Sequence, residues 1–384
     1  MAHALIIGAG IAGTTTAMAL HKAGMTSTVY EAYPQGGDDV GAFLLVLNNG
    51  MDALRAIDAH HAVNNASFRT THAQHMGPDD TVFTGGPMGT PDPDGPRTLT
   101  RAALYRALQN ELLRRGGQIE HGKTFVSAHE TETGGMVATF ADGTQAEGDL
   151  LIGADGIWSA TRRIIAPNAS PTHTGSNLVY GYSRDPNIPR VDNTFRLITG
   201  SRGRLVYVTS PSGETYWGAT IPGNPLDKAD TQDQQRWIAE LIDRFSVDPG
   251  KVPLSVVSAR QDRVLVLSIY HLASPLPAWH SGSMVLVGDA AHAVGPSAGQ
   301  GASVALEDGV ILAKCLRDIG NLGDAFYTYH QLRADRLQQL LVLTQTRVSN
   351  LHEAKAYSNP NRRTFLYEHK IEWDEPITAV AKPR

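Results

Sequence analysis

Short, continuous apolar runs recur along the chain, and each ends abruptly at a glycine or an aspartate. The clearest occupy residues 4–7, 150–152 and 283–287. Short apolar runs bounded by turn residues are typical of strands buried on both faces of a parallel sheet. After the last run the period changes to that of a helix, with Ala302, Ala305 and Leu312 on one face. The pattern therefore predicts an α/β fold.

The middle of the chain follows a different pattern. Residues 172–270 contain short, β-rich segments separated by turn sequences such as Pro211-Ser212-Gly213, which is typical of hairpins. We therefore expect residues 1–171 and 271–384 to form one α/β domain that ends in C-terminal helices. Residues 172–270 are expected to form a second, mostly β-sheet domain inserted into the first.

A glycine motif follows the first apolar run. Gly8, Gly10 and Gly13 form a G-x-G-x-x-G pattern that leads into a helical segment, and Glu31 ends a second predicted strand. In this context the glycines allow a tight turn, close approach of the backbone to a pyrophosphate and close packing of helix on strand. An acid at this distance accepts hydrogen bonds from an adenosine ribose. The segment therefore predicts a dinucleotide-binding site.

The other two apolar runs also end in acidic turns. Asp155 and Gly156 follow the second run, and Asp289 follows the third. The free amides at the start of the next helix suit an anion or a carbonyl-rich ring. Taken alone, the segment of the third run, with its acidic turn, loop and helix, would also fit an ordinary strand–loop–helix crossover. The loop that precedes its helix contains Pro296, Gly299, Gln300 and Gly301.

Together these three segments resemble those of the single-component flavoprotein monooxygenases. This aromatic-hydroxylase family includes the para-hydroxybenzoate, salicylate and urate hydroxylases, and the match covers most of the chain. The resemblance implies a Rossmann-like FAD-binding domain, with the inserted sheet domain forming a roof over the flavin and the substrate between the two. The cofactor-binding residues that it implies are Gly8, Gly10, Gly13, Glu31, Arg101, Asp155, Asp289, Pro296, Gly299, Gln300 and Gly301.

Some positions add to or depart from the family pattern. Thr100 is expected to cap the helix that Arg101 begins, and a cation there opposes the helix dipole, which favours a binding role for Arg101. Ser303 stands where the family has an asparagine, and a serine is expected to reach the flavin less well. The family's arginine near residues 36–42 has no counterpart in this sequence. Arg333 and Arg336 match a pattern in the last long helix, and the polar tail beyond residue 359 is expected to wrap the surface or a partner subunit.

The resemblance also implies a reaction. NAD(P)H would reduce the flavin, whose C4a-hydroperoxide, formed with O2, would hydroxylate or epoxidise an aromatic or polycyclic small molecule. The sequence does not identify a residue as a nucleophile, general acid or general base. Other reactions remain open on this scaffold, namely those of a Baeyer–Villiger oxygenase, an oxidase or an oxidative cyclase. A flavin-bound partner protein without catalysis is a third class, which the intact Gly-Asp segment disfavours.

Aromatic and cationic residues on the inserted strands are candidates for contact with the substrate. Alternation along a strand places Tyr180 and Tyr182 on one face, and Leu205 and Tyr207 on one face. The alternative for each residue is that it packs the sheet or faces water. The candidates are Tyr180, Tyr182, Arg196, Tyr207 and Trp217.

Composition narrows the class of protein without changing this picture. A formal net charge of −5 and the lack of a long basic run disfavour nucleic-acid binding. No apolar run has the length of a membrane span, and the single cysteine, Cys315, cannot form a disulfide within the chain. His72 and His75 lack the partners of a metal site. We expect a cytoplasmic enzyme, monomeric or homodimeric, without a metal.

Overall fold

The computed structural model describes residues 2–34, 42–132, 134–272, 276–295, 299–345 and 365–382, with only the backbone considered for 341–345. In chain order the strands are β1 (His3–Ile7), β2 (Thr26–Glu31), β3 (Phe43–Val46), β4 (Phe68–Arg69), β5 (His72–Met76), β6 (Val82–Pro87), β7 (Arg97–Thr100), β8 (Gln118–His121), β9 (Phe125–Glu130), β10 (Met136–Phe140), β11 (Gln145–Gly148), β12 (Leu150–Gly153), β13 (Thr172–Ser183), β14 (Thr194–Thr199), β15 (Arg204–Thr209), β16 (Thr215–Pro222), β17 (Arg263–His271), β18 (His280–Ser281) and β19 (Met284–Leu286).

Helices alternate with strands at both ends of the chain. They are α1 (Ile11–Lys22), α2 (Asn48–Ala56), α3 (His60–Asn65), α4 (Arg101–Arg114), α5 (Ala160–Ile165), α6 (Lys228–Gln232), α7 (Gln234–Ser246), α8 (Val252–Val257), α9 (Asp289–His292), α10 (Gly301–Asp318) and α11 (Leu322–Gln345). The Thr100 side chain accepts from the Ala103 amide at 3.1 Å, so the predicted cap of α4 is confirmed.

The three apolar runs lie side by side at the centre of one sheet. Its strand order is β18-β19-β12-β1-β2-β8, and all neighbours are parallel except β18 and β19. Ile6 and Ile152 are fully buried on the face that the helices cover, and Leu5 is fully buried on the other face, against β9 and β10, so both faces are covered, as the apolar runs predict. Because the carboxyl ends of parallel strands meet at one edge, β1, β12 and β19 bring the glycine motif and both acidic turns together.

A second sheet of seven strands forms the other domain, with the order β17-β13-β16-β15-β14-β5-β6. The predicted boundaries of this domain, 172–270, were too narrow. β5 and β6 come from the first part of the chain, and β5 pairs with β14 in parallel. This pairing joins segments that are far apart in sequence, so no local pattern indicates it.

The two faces of the seven-stranded sheet have different neighbours. One face is covered by α7 and α8 and forms a core of its own. The opposite face meets the α/β domain, where Phe195 packs against the main core. Core residues of the covered face include Val179, Leu205, Trp217, Ile221, Trp237 and Phe245.

A buried cluster of charges fixes the last two helices. Arg333 of α11 lies 2.6 Å from both Glu307 and Asp308 of α10, and Arg336 lies 2.7 Å from Glu307. Both carboxylates are fully buried, and Arg333 is 1% exposed. Asp308 also accepts from the Gly288 amide at 2.8 Å. The cluster therefore ties α10 and α11 to the acidic turn that follows β19.

The tail, 365–382, packs on the chain itself. The Leu366 carbonyl accepts from Gln300, and Arg317 donates to the carbonyl of Trp373 at 2.7 Å while stacking on its ring. Lys382 pairs with Asp324 of α11 at 2.7 Å. Of the two predicted arrangements, the described part of the tail adopts the one that wraps its own surface.

Replacing Arg333 by alanine is expected to lower the free energy of unfolding by roughly 3–5 kcal/mol, because buried Asp308 loses its arginine and buried Glu307 keeps only Arg336. Chemical unfolding at pH 7 measures the change. Arg114→Ala is the matched control, since Arg114 pairs with Glu111 at 2.7 Å on the surface, and its unfolding midpoint should stay close to that of the wild type. Equal losses in the two variants would contradict a special role for the buried cluster.

The same cluster predicts how stability responds to acid. Burial opposes ionisation of Glu307, but Arg333 and Arg336 outweigh it and lower its pKa from 4.5 to about 2. A lowered carboxyl pKa stabilises the fold above the pKa of the unfolded chain, and this contribution is lost as the pH falls. The stability difference between wild type and Glu307→Gln should therefore shrink between pH 4.5 and 2. A difference that is constant over this range would contradict the assignment.

Candidate functional site

The glycine motif forms a tight turn at the carboxyl end of β1. Gly8 has a φ of +103°, and a Cβ added to it would lie 2.6 Å from the carbonyl oxygen of Ala154. A Cβ at Gly13 would lie 1.9 Å from the carbonyl oxygen of Gly8. Neither position can hold a side chain, so the backbone of this turn is open to a ligand.

Two side chains hold this turn rigid. The Glu31 carboxylate accepts from the Ala9 amide at 2.8 Å, and Gln109 of α4 donates to the Ala9 carbonyl at 2.8 Å. Glu31 also accepts from the Tyr33 amide at 3.0 Å. No described side chain caps α1 at Gly10, so its first amides point at the space above the turn. Glu31 thus orients the turn, and its predicted contact with a ribose remains a prediction.

The second wall of the cleft is the start of α10. Gly299 has a φ of +61°, and a Cβ at Gly301 would meet no atom within 4 Å. This helix also lacks a side-chain cap within the described residues. The Gln300 side chain is turned away and buried, accepting from Asn49 at 3.0 Å. The backbone here, rather than the Gln300 side chain, is therefore available to a ligand, while the predicted contact by Pro296 lies outside the described residues.

Ser303 does not face this space. It is fully buried, and its hydroxyl accepts from the Leu47 amide at 3.0 Å. A Cβ added to Gly50 would lie 2.8 Å from that hydroxyl, so α2 and α10 pack closely at this point. The expectation that Ser303 reaches the flavin ring is therefore wrong, because the residue packs α10 against α2.

Asp289 and Arg101 lie close enough to interact electrostatically. Asp289 is partly exposed at the start of α9, and its carboxylate accepts no hydrogen bond from the described residues. Arg101 is exposed to solvent at the start of α4, yet the protein around it is dense enough that burial opposes its charge. Tyr105 and Asp289 outweigh that effect and raise the pKa of Arg101. Arg101 is thus a cation that lies within the protein but remains accessible to solvent, as a residue that lines a cleft does. Such a cation suits an anionic ligand.

The other acidic turn is built differently. Asp155 accepts from the Ala160 and Thr161 amides at 2.7 and 3.0 Å and so anchors the start of α5. Arg162, one turn further, donates to the Ala290 carbonyl at 3.1 Å and ties the two acidic turns together. The structure therefore gives Asp155 a clear role in holding the loop, and its predicted contact with the cofactor remains a prediction.

An aromatic surface of the seven-stranded sheet faces this cleft. Phe43 of β3 lies 5.9 Å, ring to ring, from both Tyr180 and Tyr216, and Tyr182 lies 5.1 Å from Tyr216. Burial raises the pKa of Tyr182 to about 12 and also raises those of Tyr180 and Tyr216. Arg101 is close enough to oppose the shift at Tyr180. These phenols are therefore neutral hydrogen-bond donors at physiological pH.

Three predicted substrate residues lie on the opposite face of the sheet. Trp217 and Tyr207 are 0% and 1% exposed in the core under α7 and α8. Trp217 fits there because a Cβ at Gly181 would lie 2.2 Å from its ring, and Arg196 donates to the Tyr207 hydroxyl at 2.6 Å. Their assignment to the substrate pocket was wrong, because helix packing turns this face away from the cleft.

Sequence reasoning missed two groups of residues that shape the cleft. Tyr105 and Gln109 follow Arg101 at intervals of four on α4, a helical spacing that would have placed them on the same face. Phe43 and Tyr216 were also missed, although alternation along β16 separates Tyr216 from Trp217.

Among the described residues, no group of three potential ligands is arranged to hold a metal ion, and no helix has the length and hydropathy needed to cross a membrane.

The fold and this cleft define a dinucleotide-binding protein of the α/β class. The glycine turn and the uncapped starts of α1 and α10 suit the diphosphate and flavin of FAD, and Asp289 suits its ribityl hydroxyls. Comparison with known proteins agrees. Residues 1–344 match the family model described as "FAD binding domain".

Three relatives illustrate the match. The chain is 30% identical over 341 residues to aurachin C monooxygenase/isomerase of Stigmatella aurantiaca, covering 86% of this chain and 85% of the relative. It is 30% identical over 358 residues to 6-hydroxynicotinate 3-monooxygenase of Pseudomonas fluorescens, covering 87% and 88%. The crystal structure of Klebsiella pneumoniae HpxO complexed with FAD and uric acid superposes with a TM-score of 0.80 at 23% identity, covering 96% and 93%.

The chain therefore belongs to the FAD-binding family of flavoprotein monooxygenases, the FAD-dependent aromatic hydroxylases. It is an FAD-dependent monooxygenase, and use of NAD(P)H is typical of this family. The family and the α/β architecture with an added sheet domain, both predicted from the sequence, are confirmed.

Asp289→Ala is expected to weaken FAD binding about tenfold or more, because a carboxylate that is predicted to accept hydrogen bonds from the ribityl hydroxyls is lost. The melting temperature of its apoprotein should not change, since Asp289 holds no described backbone group. Asp155→Ala is the matched variant and should destabilise the apoprotein by roughly 1–2 kcal/mol through loss of the α5 anchor. Titration of apoprotein with FAD and thermal unfolding measure the two effects. Unchanged FAD affinity in Asp289→Ala would contradict the placement of the flavin.

Proposed function

We propose that this enzyme uses NAD(P)H and O2 to hydroxylate or epoxidise a flat aromatic or polycyclic molecule held between the flavin and the aromatic face of the sheet. The observation that carries the proposal is the aromatic surface of Phe43, Tyr180, Tyr182 and Tyr216, which lies near Arg101, a residue that interacts electrostatically with both Tyr180 and Asp289. Aromatic rings stack on flat substrates and exclude water from the space they enclose.

The relatives support this class of substrate. One is named for the monooxygenation of 6-hydroxynicotinate, and the Klebsiella structure contains uric acid. Both are small heteroaromatic rings that carry oxygen. Because burial keeps Tyr180 protonated at neutral pH, its hydroxyl can donate a hydrogen bond to such a ring substituent. We therefore favour an oxygenated aromatic or heteroaromatic substrate.

The protein's part in the reaction is to bind, orient and exclude water. FAD, when bound, supplies the chemistry that activates O2 and accepts hydride from NAD(P)H. The amides at the start of α10 would stabilise negative charge on the nearby flavin ring. Arg101 would hold the anionic part of the cofactor, and the tyrosines would fix the substrate ring. Their raised pKa values exclude them as general bases at neutral pH.

The proposal is tested by NAD(P)H oxidation in air with the purified, FAD-loaded enzyme and a panel of hydroxylated aromatic, heteroaromatic and polycyclic compounds. We expect one class to accelerate oxidation at least tenfold and to yield a product that carries one 18O atom from labelled O2. Conversion of the compound without NAD(P)H, giving an unlabelled product and one peroxide per turnover, would instead indicate an oxidase or an oxidative cyclase, in which the substrate itself reduces the flavin, and would contradict the proposal.

Tyr180→Phe is expected to raise the KM for the accelerating substrate about 2- to 10-fold, because one donated hydrogen bond is lost. The matched control is Tyr207→Phe, which removes a hydroxyl from the opposite face of the sheet, where it donates to the Pro189 carbonyl at 3.0 Å. Tyr207→Phe should lower thermal stability and leave KM unchanged. Steady-state kinetics and melting temperatures separate the two. A larger rise of KM in Tyr207→Phe would show that the wrong face has been assigned to the substrate.

A further inference from the structure

We propose that Tyr105 is a further cofactor-binding residue, and that its hydroxyl donates a hydrogen bond to the diphosphate of FAD. Its place in the structure is the first argument. Tyr105 lies on α4, and its hydroxyl is 3.9 Å from the position that a Cβ on Gly10 would occupy. It therefore lies at the point of the glycine turn where the backbone is open to a diphosphate and where the uncapped α1 begins.

The hydrogen bonding of Tyr105 leaves its proton available. Arg101 donates from Nε to the Tyr105 hydroxyl oxygen at 2.6 Å, and its guanidinium lies 5.3 Å from the centre of the ring. The hydroxyl thus acts as an acceptor toward Arg101. Within the described ranges, no acceptor receives the O–H of Tyr105. A phenol that accepts from a cation and has a free proton is a good donor to an anion.

The charges around Tyr105 place it midway along the cofactor. Glu31 and Asp289 both act electrostatically on Tyr105, and with burial they raise its pKa despite the opposing charge of Arg101. Glu31 is expected at the adenosine end of FAD and Asp289 at the ribityl end. The group between a ribose and a ribityl chain is the diphosphate, and a neutral phenol can approach it without repulsion.

The rest of the α4 face supports this position. Arg101, Tyr105 and Gln109 occur at intervals of four residues, so they form one stripe along the helix. Gln109 donates to the Ala9 carbonyl at 2.8 Å and fixes the distance between α4 and the glycine turn. Tyr105, in the middle of the stripe, is held at this distance by its neighbours on both sides. The stripe therefore forms the wall of the diphosphate site opposite α1.

The test is titration of apoprotein with FAD, ADP and riboflavin. Flavin fluorescence measures the binding of FAD and riboflavin, and competition with FAD measures the binding of ADP. Tyr105→Phe should weaken FAD and ADP binding by the same factor, about 5- to 20-fold, and leave riboflavin binding unchanged. Because ADP and FAD share the diphosphate and riboflavin lacks it, this pattern locates the lost contact. Tyr327→Phe is the control, since that ring packs against Lys382, and it should bind all three ligands normally.

A double-mutant cycle tests the link to Arg101. The loss of FAD binding free energy in the double variant Arg101→Met/Tyr105→Phe should be smaller than the sum of the losses in the two single variants, because Arg101 orients the Tyr105 hydroxyl. Normal ADP affinity in Tyr105→Phe, or an equal loss of riboflavin affinity, would overturn the inference. Failure of ADP to compete with FAD in the wild type would instead show that the glycine turn is not the diphosphate site. Melting temperatures of the apoproteins confirm that each variant is folded.

Discussion

The buried ion pairs between α10 and α11 are the constraint on which the rest of this site depends. Glu307 and Asp308 are fully buried, Arg333 pairs with both of them, and Arg336 pairs with Glu307 as well, so two cations face two carboxylates. Charges in this position are costly unless their geometry is complete. The cluster therefore holds α10 and α11 against each other, and it fixes the position of the turns attached to them.

Two sets of hydrogen bonds connect this cluster to the backbone of the cleft. Asp308 accepts from the Gly288 amide and contacts His292, so the turn that presents Asp289 is fixed from behind. Asn49 donates to Glu307 at 2.6 Å and to Gln300 at 3.0 Å, so the approach to α10 is fixed as well. Asp289 itself stays free of described hydrogen bonds. Neighbouring groups hold the backbone, and the Asp289 carboxylate keeps the freedom that its predicted contact with the cofactor requires.

Much of this could be predicted from the sequence because it is local. The apolar runs, the glycine turn and the Thr100 cap each depend on a few consecutive residues, and the family segments place them in order. The failures involve packing between distant segments. Alternation correctly paired Tyr180 with Tyr182, but only α7 and α8 decide that the face of Tyr207 and Trp217 is the covered one. The use of Ser303 against α2, and the parallel pairing of β5 with β14, depend on contacts of the same kind.

We propose that FAD and an aromatic substrate meet between the glycine turn and the Tyr180 face of the sheet. The most direct test is a crystal structure of the enzyme with FAD and the compound that best accelerates NAD(P)H oxidation. We expect the ribityl hydroxyls within hydrogen-bond distance of Asp289 and the substrate ring in contact with Tyr180 and Phe43. A substrate bound at the face of Arg196, Tyr207 and Trp217, or a flavin that does not approach Asp289, would contradict this placement of cofactor and substrate.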